Sequence, residues 1–154
     1  MKILVIGDAI LDHYIYGTSN RMSPEDKTIP VYDAGHEEVR LGGCLNVAAN
    51  IKSITAKEND VEVYLLSVFS EFTGEMLRQR EIITDISCIS EWHKEGRLSP
   101  SHAELIKTRL IDQKTQKQFV RIDNRLRYKS QDIEVFESTL ASITDTFDAI
   151  VVSD

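Results

Sequence analysis

LGGCLNVAANIKSIT, residues Leu41 to Thr55, opens on two adjacent glycines and continues with Leu45, Ala48, Ala49 and Ile51 at helical spacing. The turn and the helix therefore form one unit. With no Cβ at Gly42 or Gly43, the backbone can take φ > 0 and a ligand can lie against its N–H groups. The helix N-terminus adds partial positive charge there. Asn46, one turn into the helix, both donates and accepts hydrogen bonds, and the combination suits a polyhydroxylated or phosphorylated small molecule. A plain loop-to-helix turn with an exposed Asn accounts for the same residues, so the neighbouring segments decide.

Upstream, Lys2 to Ile6 (KILVI) is a continuous apolar run ended by Gly7-Asp8, the pattern of a buried strand in a parallel sheet. Asp12 follows closely. Ligands of open α/β sheets gather at the carboxyl ends of the strands, and a carboxylate there can accept hydrogen bonds from two sugar hydroxyls; a turn-capping Asp is the plainer reading. Thr18 to Pro30 is polar, holds two of the three prolines and reads as a loop. VYDAGHEEVRL after it predicts a β-hairpin or a bent edge ribbon, with Glu37, Glu38 and Arg40 as solvent-side charges that protect an edge.

Downstream, Val61 to Phe69 predicts a second buried strand, Thr73 to Ile83 a helix and Ile86 to Ser90 a short strand; Glu91 to Ser101, with Trp92, has the composition of a loop. Leu105–Ile111 and Gln118–Ile122 flank the polar DQKTQK, which predicts a hairpin. Residues 131–144 place Ile133, Phe136, Leu140 and Ile143 on one helical face, and Asp148 to Val152 predicts another buried strand. No internal repeat, low-complexity segment or linker interrupts this β, helix, β order.

The 154 residues suffice for one domain with a real core, or for half of a larger one. No apolar run approaches the roughly 20 residues of a membrane span, and four apolar residues before Gly7-Asp8 are too few for a signal peptide, so a cytoplasmic location is the expectation. Cys44 and Cys88 lack C-x-x-C spacing, and His13, His36, His93 and His102 form no metal-ligand pattern. A net charge of −7 argues against a general nucleic-acid binder. Yet Lys107 to Lys129 holds eight basic and two acidic residues, a local +6 that leaves −13 for the rest. Stacking aromatics are few there, Phe119 and Tyr128 only, which argues against an RNA or DNA contact. The charges suit a small anionic partner or a solvated hairpin face.

Four stretches together make the chain similar to the ribokinase-like (PfkB) sugar kinases, and within them to the D-glycero-β-D-manno-heptose 7-phosphate kinases of lipopolysaccharide biosynthesis. GDAILDHYIYG (Gly7 to Gly17) resembles the G-D-x-x-L-D-x-Y-x-x-G opening, and NRMSPED (Asn20 to Asp26) the S-R-x-S-P-E-x-P segment, with Asn20 for Ser and Lys27 for Pro. RLGGCLNVAANI (Arg40 to Ile51) matches G-G-x-x-N-V-A-x-N. IKTRLIDQKTQKQFVRID (Ile106 to Asp123) resembles T-K-x-R-x-x-x-x-x-Q-x-x-R-x-D, with Ile106 for Thr. The G-x-D-x-x-G usual after the second strand is reduced here to Glu71 and Gly74.

The resemblance implies an α/β, three-layer sandwich with a mostly parallel sheet and a small β lid, over segments of about 12–41 and 105–123, with the chain corresponding to the N-terminal half of the kinase domain. It implies that Asp12, Gly42, Gly43 and Asn46 hold sugar hydroxyls and that Lys107, Arg109 and Arg121 are candidate contacts to the substrate phosphate. It also implies ATP and Mg2+ as cofactors. The family's G-A-G-D motif, which carries the ATP anion hole and the catalytic Asp, does not occur in these residues, so no catalytic residue and no metal ligand is assigned. Two readings stay open. The chain is the acceptor-sugar half of an ATP-dependent kinase, or a catalytically incompetent truncated relative that serves as a sugar-binding or dimerisation module, with a homodimer formed through the β lid.

Overall fold

Lys2–Gly7 (β1) is the central strand that its apolar run predicts. In the computed structural model, which describes residues 1–58, 60–69, 71–79, 105–124 and 130–153, Leu4 and Val5 are fully buried. The chain continues as β2 (Ala9–Met22), β3 (Pro30–Gly42), α1 (Gly43–Ile54), β4 (Glu62–Leu66), α2 (Glu71–Gln79), β5 (Leu105–Asp112), β6 (Gln118–Asp123), α3 (Ser130–Ile143), a 3-10 turn and β7 (Ala149–Ser153). It divides into two compact units, one of Met1–Ile10, Leu41–Leu105 and Arg125–Asp154, the other of Leu11–Arg40 and Ile106–Asn124.

The first unit carries a parallel sheet in the order β4-β1-β7, with Ile3 opposite Val63 on one side and Ala149 on the other. Leu4 and Ile6 alternate with Ile3 and Val5, so each pair faces its own layer. Leu4, Ile6 and Leu66 pack against Phe136, Leu140 and Ile143 of α3. α1 packs on β1, β4 and β7 and buries Cys44, Leu45 and Ala48. The result is the helix, sheet, helix sandwich expected of a parallel sheet, whose two faces must both be covered. At the end of β1 the Gly7 carbonyl accepts hydrogen bonds from Ser67 Oγ at 2.5 Å and Cys44 Sγ at 3.3 Å, so the buried hydroxyl is satisfied. Burial pushes the Cys44 thiol up to about 12.

The second unit is a four-stranded sheet in the order β3-β2-β5-β6. Its hairpin β5–β6 is antiparallel, with Arg109 opposite Arg121 and Lys107 opposite Asp123. The connecting turn is built by Asp112, whose Oδ1 accepts the Thr115 N–H at 2.6 Å, the Thr115 hydroxyl at 2.9 Å and the Lys114 N–H at 3.0 Å. Those donors, the Thr115 N–H foremost, hold the Asp112 carboxyl below its ordinary range. Gln116 takes the left-handed position with φ 59°.

Three expectations change. The loop read over residues 18–30 shrinks to 23–29, because β2 runs on to Met22; Arg21 pairs with Asp33 across the ribbon at 2.9 Å, and Asp26 closes the tip by accepting from Thr28. The hairpin or bent ribbon over 31–41 is a single edge strand, β3. β4 is also shorter than the apolar run suggests. The helix beyond Gln79, the strand at 86–90, the loop with Trp92, and Cys88, His93, His102, Arg125, Arg127 and Lys129 lie outside the described residues. No helix among the described residues is long and apolar enough to cross a membrane.

Candidate functional site

In the first unit, the Gly-Gly turn is organised by the protein's own backbone. Gly42 is the extended residue before α1 and makes no side-chain cap. Gly43 sits at φ +53°, and a Cβ there would lie 2.2 Å from the Asp8 carbonyl oxygen. Gly43 bridges to Ala9, and the Cys44 N–H donates to the Asp8 carbonyl at 3.0 Å. Close approach at Gly43 is thus explained by the β1–β2 connection, and one of the helix's early N–H groups is already spent on it. Asn46 on the first turn of α1 is exposed. No acidic side chain occupies that first turn, while Lys52 stands in the last, so the helix dipole is unopposed at its positive end.

In the second unit, four of the residues singled out from sequence meet on one face. Arg109 Nη1 donates to Asp12 Oδ1, and both side chains are about one-fifth exposed, 19% and 20%. The same Nη1 reaches the Lys107 carbonyl at 3.3 Å. Register places Arg121 directly opposite Arg109, and Lys107 opposite Asp123, so these side chains share a side of the sheet with Asp12. Arg121 makes a two-pronged pair with Asp123, Nε and Nη2 each at 2.7 Å. That contact draws the Asp123 carboxyl below its usual range.

Sequence reading missed the aromatic part of this face. The guanidinium of Arg109 lies 5.1 Å from the centroid of Tyr14 and that of Arg40 lies 4.7 Å from it. Tyr16 stacks on His36 at 4.6 Å and donates its hydroxyl to Glu38 at 2.9 Å, a bond that pushes the Tyr16 hydroxyl up from its ordinary value. Glu38 also pairs with Arg40. Asp12, Tyr14 and Tyr16 alternate along β2, and in a strand that spacing puts all three on one face; the signal was present. Glu37, by contrast, bonds His13 at 2.9 Å. The edge charges of β3 therefore have cross-strand partners as well as a solvent role.

The face can accept hydroxyls at a carboxylate and attract an anion to its cations, since guanidinium and ammonium groups both pair with phosphate. Among the described residues no group of three or more His, Cys, Asp or Glu could hold a metal ion.

No family model matches the chain. Among curated proteins, bifunctional protein HldE of Helicobacter pylori (strain J99) is 35% identical over 126 residues, 82% of this chain and 25% of that protein. HldE of Actinobacillus succinogenes is 30% identical over 159 residues, 99% of this chain and 29% of that protein. The chain spans about a quarter to a third of the length of these relatives. Among solved structures, phosphofructokinase-2 from Escherichia coli, in complex with fructose-6-phosphate, aligns at TM-score 0.59 and 15% identity, over 99% of this chain and 45% of that one. Ribokinase from Cryptococcus neoformans, in complex with ADP, aligns at 0.56 and 14% identity, over 98% and 48%. These two likenesses establish the fold.

Proposed function

We propose, for a chain that is homologous to a segment of the HldE proteins and carries the ribokinase-like fold of sugar kinases, that it forms the acceptor-sugar part of an ATP-dependent heptose-phosphate kinase. The observation that carries this reading is the half-buried Asp12 carboxylate held by Arg109 on a face that also bears Lys107 and Arg121. A carboxylate beside cations suits a ligand with hydroxyls at one end and a phosphate at the other. In the first unit, Gly42, Gly43 and Asn46 are assigned to sugar hydroxyls; the second unit is assigned as the family's β lid. ATP and Mg2+ belong, in this reading, to residues outside this chain, and the compartment is the cytoplasm.

Titration of the chain with D-glycero-β-D-manno-heptose 7-phosphate tests the proposal. Wild type binds the sugar phosphate without turning over ATP. Asp12→Ala and Asn46→Ala each weaken binding by about 1–3 kcal/mol, the loss expected when a hydrogen bond to substrate leaves its partner unsatisfied. Affinities equal to wild type would reject these assignments.

Self-association through the second unit is part of the reading. β6 is exposed along its length, and Phe119, Val120 and Ile122 are each about half exposed, apolar surface that a second copy would cover. Sedimentation should find a dimer that Val120→Lys with Ile122→Lys dissociates; a wild-type monomer at tens of micromolar removes this part of the proposal.

A further inference from the structure

Within the cationic face, Arg109 differs from its neighbours. Its Nη1 is committed to Asp12 Oδ1 and to the Lys107 carbonyl, and its guanidinium lies over the Tyr14 ring. Arg121 is likewise committed to Asp123. Lys107 has no carboxylate within bonding distance among the described residues; Asp123 beside it bonds Arg121 instead. Asp12 gives only Oδ1 to Arg109, and Oδ2 accepts no hydrogen bond from a described residue.

We propose that Arg109, braced by Tyr14, is a positioning residue for Asp12 and not a ligand of the substrate phosphate. It fixes one carboxylate oxygen and leaves the other turned to the hydroxyls of the acceptor, while Lys107 is the cation available to the anionic end. This rests on the acceptor-site reading above. Three features support it. Arg109 supplies Asp12 with a charge-assisted hydrogen bond, the stronger kind, from a strand of the same sheet. The pair is one-fifth exposed, so it is screened less than a surface pair. The aromatic ring beside the guanidinium restricts its swing, and the same ring also carries Arg40.

The test compares two ligands, the heptose 7-phosphate and the same heptose without phosphate, titrated against wild type and variants. A positioning role acts through Asp12 on the hydroxyls, which both ligands share. Arg109→Ala should therefore weaken both by the same factor, about tenfold or more, and should add nothing when placed on top of Asp12→Asn. Arg109→Lys, which keeps the charge but loses the fork, should restore part of the loss for both. Lys107→Ala should weaken only the phosphorylated sugar. Tyr14→Leu touches no charge and guards against collapse of the hairpin in the Arg109 variant; it should weaken both ligands equally, by about threefold to tenfold. Selective loss of the phosphorylated sugar in Arg109→Ala makes Arg109 a phosphate ligand and overturns the inference while leaving the acceptor site standing. Additive losses in the double variant overturn it as well. Failure of wild type to bind either sugar overturns the acceptor-site reading, and this inference with it.

Discussion

Gly7→Ala should strongly destabilise the first unit. The residue ends β1 at φ +151°, and a Cβ there would stand 1.6 Å from the Ser153 carbonyl oxygen and 2.7 Å from its carbon. Both are backbone atoms of β7, paired in register with Gly7, so no rotamer change relieves the clash. An L residue in that region of backbone space costs about 1–3 kcal/mol, and forcing a methyl group into filled space costs about 1–3 kcal/mol more. Together they remove much of the roughly 5–15 kcal/mol that holds a domain folded. Urea unfolding followed by far-UV circular dichroism checks this. With a slope of about 1–3 kcal/mol per molar, the midpoint should fall by more than about 1 M, and a midpoint equal to wild type would show that β7 does not dock as described.

The second large effect is in the core between the sheet and α3. Leu66 is fully buried and shares a cluster with Leu4, Ile6, Phe136 and Leu140. Leu66→Ala removes three heavy atoms from the point where β4, β1 and α3 meet and should cost about 2–5 kcal/mol. Ile54→Ala, at a residue 81% exposed, should stay within about 0.5 kcal/mol of wild type. A Leu66 variant as stable as the Ile54 variant would mean that α3 does not cover the sheet.

The parts legible in the sequence are those whose physics is local. KILVI reads as a buried strand because an uninterrupted apolar run fits only an element covered on both faces, and LGGCLNVAANI reads as a turn into a helix from its glycines and its 3.6-residue period. The hairpin around DQKTQK is legible for the same reason, with Asp112 building the turn from its own neighbours. β2 defeated the reading beyond Thr18. Ser19, Asn20 and Arg21 carry little strand preference, and they are extended because β3 pairs beside them and Arg21 reaches Asp33. Strand preference is set by such neighbours more than by the residue itself.

The candidate site divides in the same way. Asp12, Lys107, Arg109 and Arg121 could be chosen by type and by motif, but nothing in the spacing says that Asp12 and Arg109, 97 positions apart, form a pair. A similar separation hides Tyr14 as the platform beside Arg109. At Gly43 the sequence pattern invited a ligand-centred explanation of the glycine, whereas the Asp8 carbonyl already occupies the space a side chain would need. A glycine marks close approach without saying what approaches.

That β2 lies between β3 and β5 also sets an order of events during synthesis. β2 and β3 leave the ribosome as neighbours and can pair at once, but the partner for the other side of β2 is still unwritten. At about 5–20 residues per second, the 97 positions from Asp12 to Arg109 take about 5–20 s. Throughout that interval the nascent ribbon presents an open strand edge, with the lone charge of Asp12 upon it, to every other growing chain nearby.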